Sequence, residues 1–536
     1  MRSDSAQRRP LDGEHFDVAI IGGGINGVAI ARVCAAAGRR TLLVEQNDFA
    51  SGTTSRSTRI IHGGLRYLEH AEIGLVRESL RERERLLQKE PHLVRPMRFM
   101  LALPEGKRYS SLEIRFGLWL YRRFAGARRP AKNGGLAEID RLLDSGTKWS
   151  VFQYDDAQCE FPERLTAEWL TDAVTSGAVA RNYTEALEVE VANGRVRGLR
   201  VRDRLTAAEF RVEAQWIINA SGPWADRVAH RAGLRDLQMV GGVRGSHIVV
   251  PRFSGAPESA IYTEALDRRP IFVVPWNGEL LVGTTEVNDS GNPGAAQPSD
   301  PEIEYLLNSL NRLFPVAGLS RDQIRYAMAG VRPLPYSPRN PLAAVTRRHI
   351  LHDHRNDGVQ GMISLIGGKL TTAGSVAREC ARKIGIDVSE PRHEVLVNSL
   401  NLHSLLAKDA AAVDPAISPD AATAVKSWFG RSAREILRSA AAEDRFRTRI
   451  CDESSHIVAE AVYAMNNECA VTLADVLLRR VPVALSGTWS EHQTRQAAER
   501  IGSALGWSKA RIQSEVEQFE EERQSFLVKA RAATTA

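Results

Sequence analysis

The chain has 536 residues, 43% hydrophobic and 25% charged, enough for two or three globular domains with sizeable cores. Its net charge of +6 suits anionic ligands or an anionic membrane surface, but no basic stripe interleaved with aromatics points to nucleic acid. Cys34, Cys159, Cys380, Cys451 and Cys469 are scattered without C-x-x-C spacing, which argues against zinc, an iron–sulfur cluster or a disulfide framework and for a reducing compartment.

Residues 1–14 read as a loose polar tail without the apolar core of a signal peptide. No run reaches eighteen apolar residues, so no transmembrane helix is expected. "FDVAIIGGGINGVAIARVCAAAGRRTLLVEQ" reads as strand, glycine turn, helix and strand. Gly22, Gly24 and Gly27 match G-x-G-x-x-G, whose missing side chains let a turn close and let backbone approach a pyrophosphate at a helix N-terminus. Glu45 ends the second strand, placed to accept ribose hydroxyls and to repel a 2′-phosphate. This fingerprint alone does not separate NAD from FAD. Next come the hydroxyl-rich "SGTTSRST" and "IIHGGLRYLEH", which puts Gly63 and Gly64 where the chain can pass close to a planar ring.

Residues 76–90 have helical spacing. Residues 110–129 cluster Leu112, Ile114, Phe116, Leu118, Trp119, Leu120, Tyr121 and Phe124 with arginines. That pattern reads as an interfacial anchor for an anionic membrane surface, with a buried helix bearing a basic flank as the competing reading. Residues 166–182 read as a helix, and "ALEVEVANGRVRGLRVRD" as a hairpin turning at Asn193-Gly194. Two further glycine turns follow strands. One runs from Trp216–Asn219 into Gly222, and the other passes through Gly367-Gly368 into a helix starting near Lys369–Thr371. A helix N-terminus beside Lys369 would favour negative charge on a reduced flavin. Three such turns favour a discontinuous FAD domain over an NAD fold. From about residue 395 the pattern is helical.

The set "IIGGGINGVAIA", "IIHGGLRYLEH", "NASGPWADRV", "GSHIVVPR", "FVVPWNGELLVGTTEV", "AGVRPL" and "LIGGKLTT", with "YAMNNECAVTLADVLLRRVPVAL" near the end, resembles the FAD-dependent glycerol-3-phosphate dehydrogenases. The resemblance runs in order over roughly residues 15–530. It implies an α/β fold of the glycine and D-amino-acid oxidase kind. The FAD-binding domain would comprise residues 15–75, 165–235 and 340–390, the antiparallel-sheet substrate domain residues 76–164 and 236–339, and an all-helical domain residues 395–536. It implies oxidation of sn-glycerol 3-phosphate to dihydroxyacetone phosphate, with electrons passing to quinone. An oxygen-using oxidase, a related flavoenzyme for another hydroxy- or amino-compound, and a catalytically silent flavin-binding module are the alternatives. The implied setting is cytoplasmic, peripheral on the inner face of the membrane, with a homodimer as one assembly.

Carried over residue by residue, the resemblance makes His247, Arg332 and Lys369 catalytic, and Arg66, Tyr67, Thr285 and Arg347 substrate-binding. Gly22, Gly24, Ile25, Asn26, Gly27, Glu45, Gln46, Thr53, Ser57, Gly63, Gly64, Leu65, Ala220, Gly222, Trp224, Gly368, Leu370 and Thr371 would hold FAD, and no metal is expected. The chain departs from the family at Ala29, Val33 and Ala37, where Gly, Asp and Arg are usual, at Ala373 and Gly374, where Tyr-Arg is usual, and at "FPERL", residues 161–165. These differences leave the FAD fold untouched and mark a divergent branch.

Overall fold

The computed structural model describes residues 10–65, 72–104, 110–126, 139–265, 267–339, 345–388 and 416–529. Strand β1 (His15–Ile21) ends in four buried residues, as a strand covered on both faces must. The glycine turn feeds α1 (Ile25–Ala36), and β2 (Thr41–Val44) returns parallel to β1. A long loop leads to the short β3 (Ile60–Ile61), followed by α2 (Ile73–Lys89), β4 (Val94–Pro104), α3 (Ser111–Ala125) and β5 (Trp149–Cys159). Helix α4 (Pro162–Thr175) lies earlier than the sequence pattern predicts. Pro162 suits the first turn, where a missing N–H costs nothing, and Gly177 at φ 98° breaks the chain away, so residues 179–181 form strand β6.

The hairpin of β7 (Thr184–Ala192) and β8 (Arg195–Asp203) turns at Asn193 and Gly194, both at positive φ, and continues into β9 (Glu209–Asn219). There follow β10 (Val240–Val250), β11 (Ala260–Glu264), β12 (Pro270–Trp276), β13 (Glu279–Gly283), β14 (Val287–Asn288), α5 (Asp300–Leu313) and β15 (Tyr326–Pro335). Then β16 (Ile350–Asp353), β17 (Met362–Ile366) and α6 (Ala373–Lys383) complete this part.

Two sheets result. The first has eight strands in the order β16-β17-β9-β1-β2-β6, with β8 beside β9 and β7 beside β8. Its β6, β2, β1, β9 and β17 run parallel. The second has nine strands, and β3 places the loop after β2 at its edge. It is antiparallel except where β11 runs parallel to β4. Residues 45–59 are the first of the segments that leave one sheet and enter the other.

Residues 416–527 pack α7 (Pro419–Phe429), α8 (Ala433–Ala442), α9 (Val458–Asn467), α10 (Glu491–Leu505) and α11 (Lys509–Phe526) around an apolar core. Helix α10 is bounded at both ends by its sequence. Ser490 and Gln493 form a capping box, and Gly506 takes the left-handed conformation. No disulfide joins the cysteines, and no helix among the described residues is long and apolar enough to cross a membrane.

Candidate active site

A cavity of about 1030 Å³ opens where β1, β2, β9 and β17 end, and Gly22, Glu45, Ala220 and Gly367 line it immediately beyond those strands. Carboxyl ends of parallel strands are where open α/β sheets bind ligands, because helix N-termini and tight turns converge there. Gly22 has φ 111°, and a Cβ on it would lie 2.6 Å from the Ala220 oxygen. Gly27 does not face the cavity. Its Cβ would collide with the Gly22 carbonyl oxygen, so its role is to seat α1 against the turn.

Hydroxyls and one acid complete this end. Thr54 Oγ1 accepts from the Ile25 N–H at 3.1 Å, while the Thr53 hydroxyl donates to the Val331 carbonyl oxygen at 2.8 Å. Ser57 Oγ accepts from the Arg59 N–H. Glu45 accepts from the N–H groups of Gly23 (2.7 Å) and Asn47 (2.9 Å), and burial pushes its carboxyl up. Asn26 Oδ1 is buried without a hydrogen-bond partner among the described residues, and Gly368, at φ 89°, lies so close that a Cβ would be 2.9 Å from Asn26 Nδ2. Glycines that leave room, an orphaned amide oxygen and an acid at the end of β2 fit a bound dinucleotide.

The other end of the cavity is cationic. Arg332 on β15 sits across from Val243 on β10, and His247 lies four residues along β10. Two glycines make space for these side chains. A Cβ on Gly245 would collide with the Arg332 guanidinium, and one on Gly283 with the His247 ring. Arg332 Nη2 donates to Thr284 Oγ1 at 2.8 Å. His247 Nε2 and Thr58 Oγ1 share a 2.9 Å hydrogen bond, while Nδ1 is buried and unpartnered among the described residues. Burial, with Arg332 and Arg59 nearby, lowers His247 to about 3, so the ring is neutral at neutral pH. Burial pulls Lys369 down to about 7, with Glu72 and Glu78 opposing and Arg347 adding to the shift. Arg347 donates to Glu286 at 2.7 Å, and Arg332 lies 4.0 Å from the same carboxylate.

His247, Arg332, Lys369 and Arg347 thus line one cavity with Gly24, Ile25, Asn26, Gln46, Thr53, Ser57, Gly64, Leu65, Gly222, Trp224, Leu370 and Thr371. Arg66 and Tyr67 lie outside the described residues. Thr285 is not a cavity residue. Its hydroxyl donates to Glu302 at 2.6 Å and accepts from the Ser246 N–H, so it is spent inside the second sheet, and its neighbour Thr284 faces Arg332 instead. Gly63 is not beside the ring site either. A Cβ there would meet Leu80 and the Tyr121 hydroxyl at 2.5 Å, so its smallness serves the packing of α2 and α3. Thr54, Thr58, Thr284, Glu286 and His62 also line the cavity, and no motif in the sequence singles them out. Thr54 and Thr58 stand in a hydroxyl-rich run whose pattern gives no hint of which hydroxyls turn inward.

Helix α3 divides its apolar residues between two faces. Leu118 and Tyr121 are buried, while Leu112, Phe116 and Trp119 are 78%, 64% and 58% exposed. Phe124 is not on the outer face, since Arg77 stacks on its ring at 4.4 Å and it packs against the core.

Known proteins share this architecture. The model of FAD dependent oxidoreductases matches residues 17–381, and that of the C-terminal domain of alpha-glycerophosphate oxidase matches residues 363–512. A glycerol-3-phosphate dehydrogenase of Synechocystis sp. is 36% identical over 94% of this chain and 96% of its own length. An aerobic glycerol-3-phosphate dehydrogenase of Staphylococcus saprophyticus is 29% identical over 88% of each. The solved structure of a glycerol-3-phosphate dehydrogenase from Bacillus halodurans complexed with FAD superposes with a TM-score of 0.75, at 23% identity, covering 98% of this chain and 97% of that one.

Proposed function

Because the chain belongs to the FAD-dependent glycerol-3-phosphate dehydrogenase family, we propose that it oxidises sn-glycerol 3-phosphate to dihydroxyacetone phosphate and delivers the electrons to a quinone. The observation that carries this reading is one cavity with a dinucleotide cradle at one end and Arg332, Arg347, Lys369 and a neutral His247 at the other. FAD, when bound, supplies the acceptor for the carbinol hydride.

Gly22, Gly24 and Gly368 leave room for the cofactor, Ile25 lines it, Asn26 offers a polar side chain at the α1 N-terminus, and Glu45 takes the adenosine ribose. Arg347 binds the substrate phosphate as a planar fork, and Lys369, as a point charge, stands with Arg332 beside the reacting oxygen. Arg332, fixed by Thr284, lies against the reacting oxygen and stabilises negative charge developing there. The hydroxyl proton passes to His247 at Nε2. That nitrogen meets the cavity-lining Thr58, whereas Nδ1 is sealed from solvent. A dianion arriving beside His247 raises its basicity at the moment a base is required.

The exposed Leu112, Phe116 and Trp119 on α3, alongside Arg122 and Arg123 in its last turn, support a peripheral membrane attachment that brings the enzyme to its quinone. The test is anaerobic flavin bleaching with glycerol 3-phosphate and other phosphorylated polyols. Bleaching by glycerol 3-phosphate is expected, and failure with every phosphorylated compound overturns the substrate class. Hydrogen peroxide formed at the turnover rate would replace quinone with oxygen as acceptor.

A further inference from the structure

The loop between β2 and β3 carries Glu45, Thr53, Thr54 and Ser57, all of which line the cofactor end of the cavity. The C-terminal helical domain grips this loop at two points. At the first, Asp48 is almost fully buried and receives a bidentate pair from Arg480, Nη1 to Oδ2 at 2.6 Å and Nη2 to Oδ1 at 2.8 Å, and a further hydrogen bond from Arg479 Nε. Asn182 adds a bond to Asp48 at 3.0 Å and another to the Cys469 carbonyl oxygen at 2.7 Å. Burial opposes ionisation of Asp48, but Arg480 and Arg479 hold it down to about 2. Arg479 is itself fixed by Asp475 (2.8 Å) and Glu522 (2.6 Å), and Tyr183 donates to Asp475 at 2.6 Å. At the second point the Arg56 guanidinium lies 4.7 Å from the centre of the Phe526 ring while donating to the Gly52 carbonyl oxygen at 3.1 Å. Arg479 and Glu522 also stand in the cavity wall itself.

We propose that the helical domain is a retaining clasp for FAD. Arg479 and Arg480 on Asp48, and Phe526 on Arg56, hold the β2–β3 loop in the shape that the cofactor requires. A buried charge cluster of this kind is costly to open, because any undocked state leaves Asp48 or an arginine unpaired. Docking and cofactor binding are therefore linked, and the linkage is reciprocal. FAD strengthens docking by the same factor by which docking strengthens FAD. Arg479 and Arg480 are positioning residues in this scheme and touch no reacting atom.

The test uses the full chain with and without bound FAD. In wild-type protein, amide hydrogen exchange in residues 473–485 and 519–527 is expected to slow at least tenfold when FAD binds. Equal exchange in the two states overturns the clasp, and this arm needs no variant. In Arg480→Met, flavin-fluorescence titration is expected to show a Kd for FAD raised at least tenfold, with Arg480→Lys intermediate. A folded Arg480→Met protein that binds FAD within twofold of wild type also overturns it.

Discussion

The sharpest test of the chemistry is His247→Asn. Asparagine can keep a hydrogen bond to Thr58 Oγ1 but cannot hold a transferred proton. Burial, with Arg332 and Arg59 nearby, lowers His247 from 6.5 to about 3, which disfavours the imidazolium by about 5 kcal/mol at 1.36 kcal/mol per unit. A single negative charge about 5 Å away, at an effective dielectric constant of 20, returns about 3 kcal/mol. On the same scale a phosphate dianion returns about 6–7 kcal/mol, enough to offset the penalty, so in the proposed scheme the substrate itself activates the base. Removing a positioned base costs about 10²- to 10⁴-fold, or about 2.7–5.4 kcal/mol. The assay is single-turnover flavin bleaching under anaerobic, saturating glycerol 3-phosphate, which is blind to the final acceptor. The expected result is a bleaching rate lowered by at least about 10²-fold with FAD content unchanged. A rate within threefold of wild type would refute the assignment and move the proton acceptor to another group, with Lys369 the first candidate.

Gly245→Ala should push the Arg332 guanidinium aside without touching the cofactor cradle. A misplacement of about 1 Å costs on the order of 10²-fold in kcat, and rapid-quench kinetics at full FAD loading would show it. Burial pulls Lys369 down to about 7, and a depressed folded value means that its ammonium is lost as pH rises through 7. The kcat/KM for glycerol 3-phosphate should fall above that pH, and Lys369→Arg, which stays charged, should flatten that limb. On α3, the double change Phe116→Ser and Trp119→Ser should weaken co-sedimentation with anionic vesicles at least about tenfold, since each large apolar side chain contributes about 1.5–3 kcal/mol when buried. Unchanged binding would place the attachment elsewhere on the surface.

The cofactor end was the more legible part, because glycine turns and a strand-end acid are local signals. Gly22, Gly24 and Glu45 could be read from spacing alone, and the structure puts all three at one cavity. The substrate end depends on which way a side chain turns within a short run. In "GTTEV" the sequence cannot tell whether Thr284 or Thr285 faces Arg332, and the answer comes from Glu302 on α5, which takes the Thr285 hydroxyl. Gly63 misled for a similar reason, since its crowding comes from Leu80 and Tyr121 on two later helices. The Asp48–Arg480 bond joins residues 432 positions apart, a separation that no periodicity reveals.

The order of strands in the first sheet also bears on how the protein is made. β1 and β2 leave the ribosome well before two of the strands they are ordered with, β9 and, beyond it, β17, which ends at Ile366. At 5–20 residues per second, the nascent chain waits roughly 17–68 s between completing the glycine turn and supplying Gly368. During that interval the exposed edge of β1, a run of buried-type residues, has no native partner on one side until β9 arrives. Nascent chains truncated before β9 should therefore depend on chaperones far more than chains truncated after β17, and free FAD should protect only the longer set from protease.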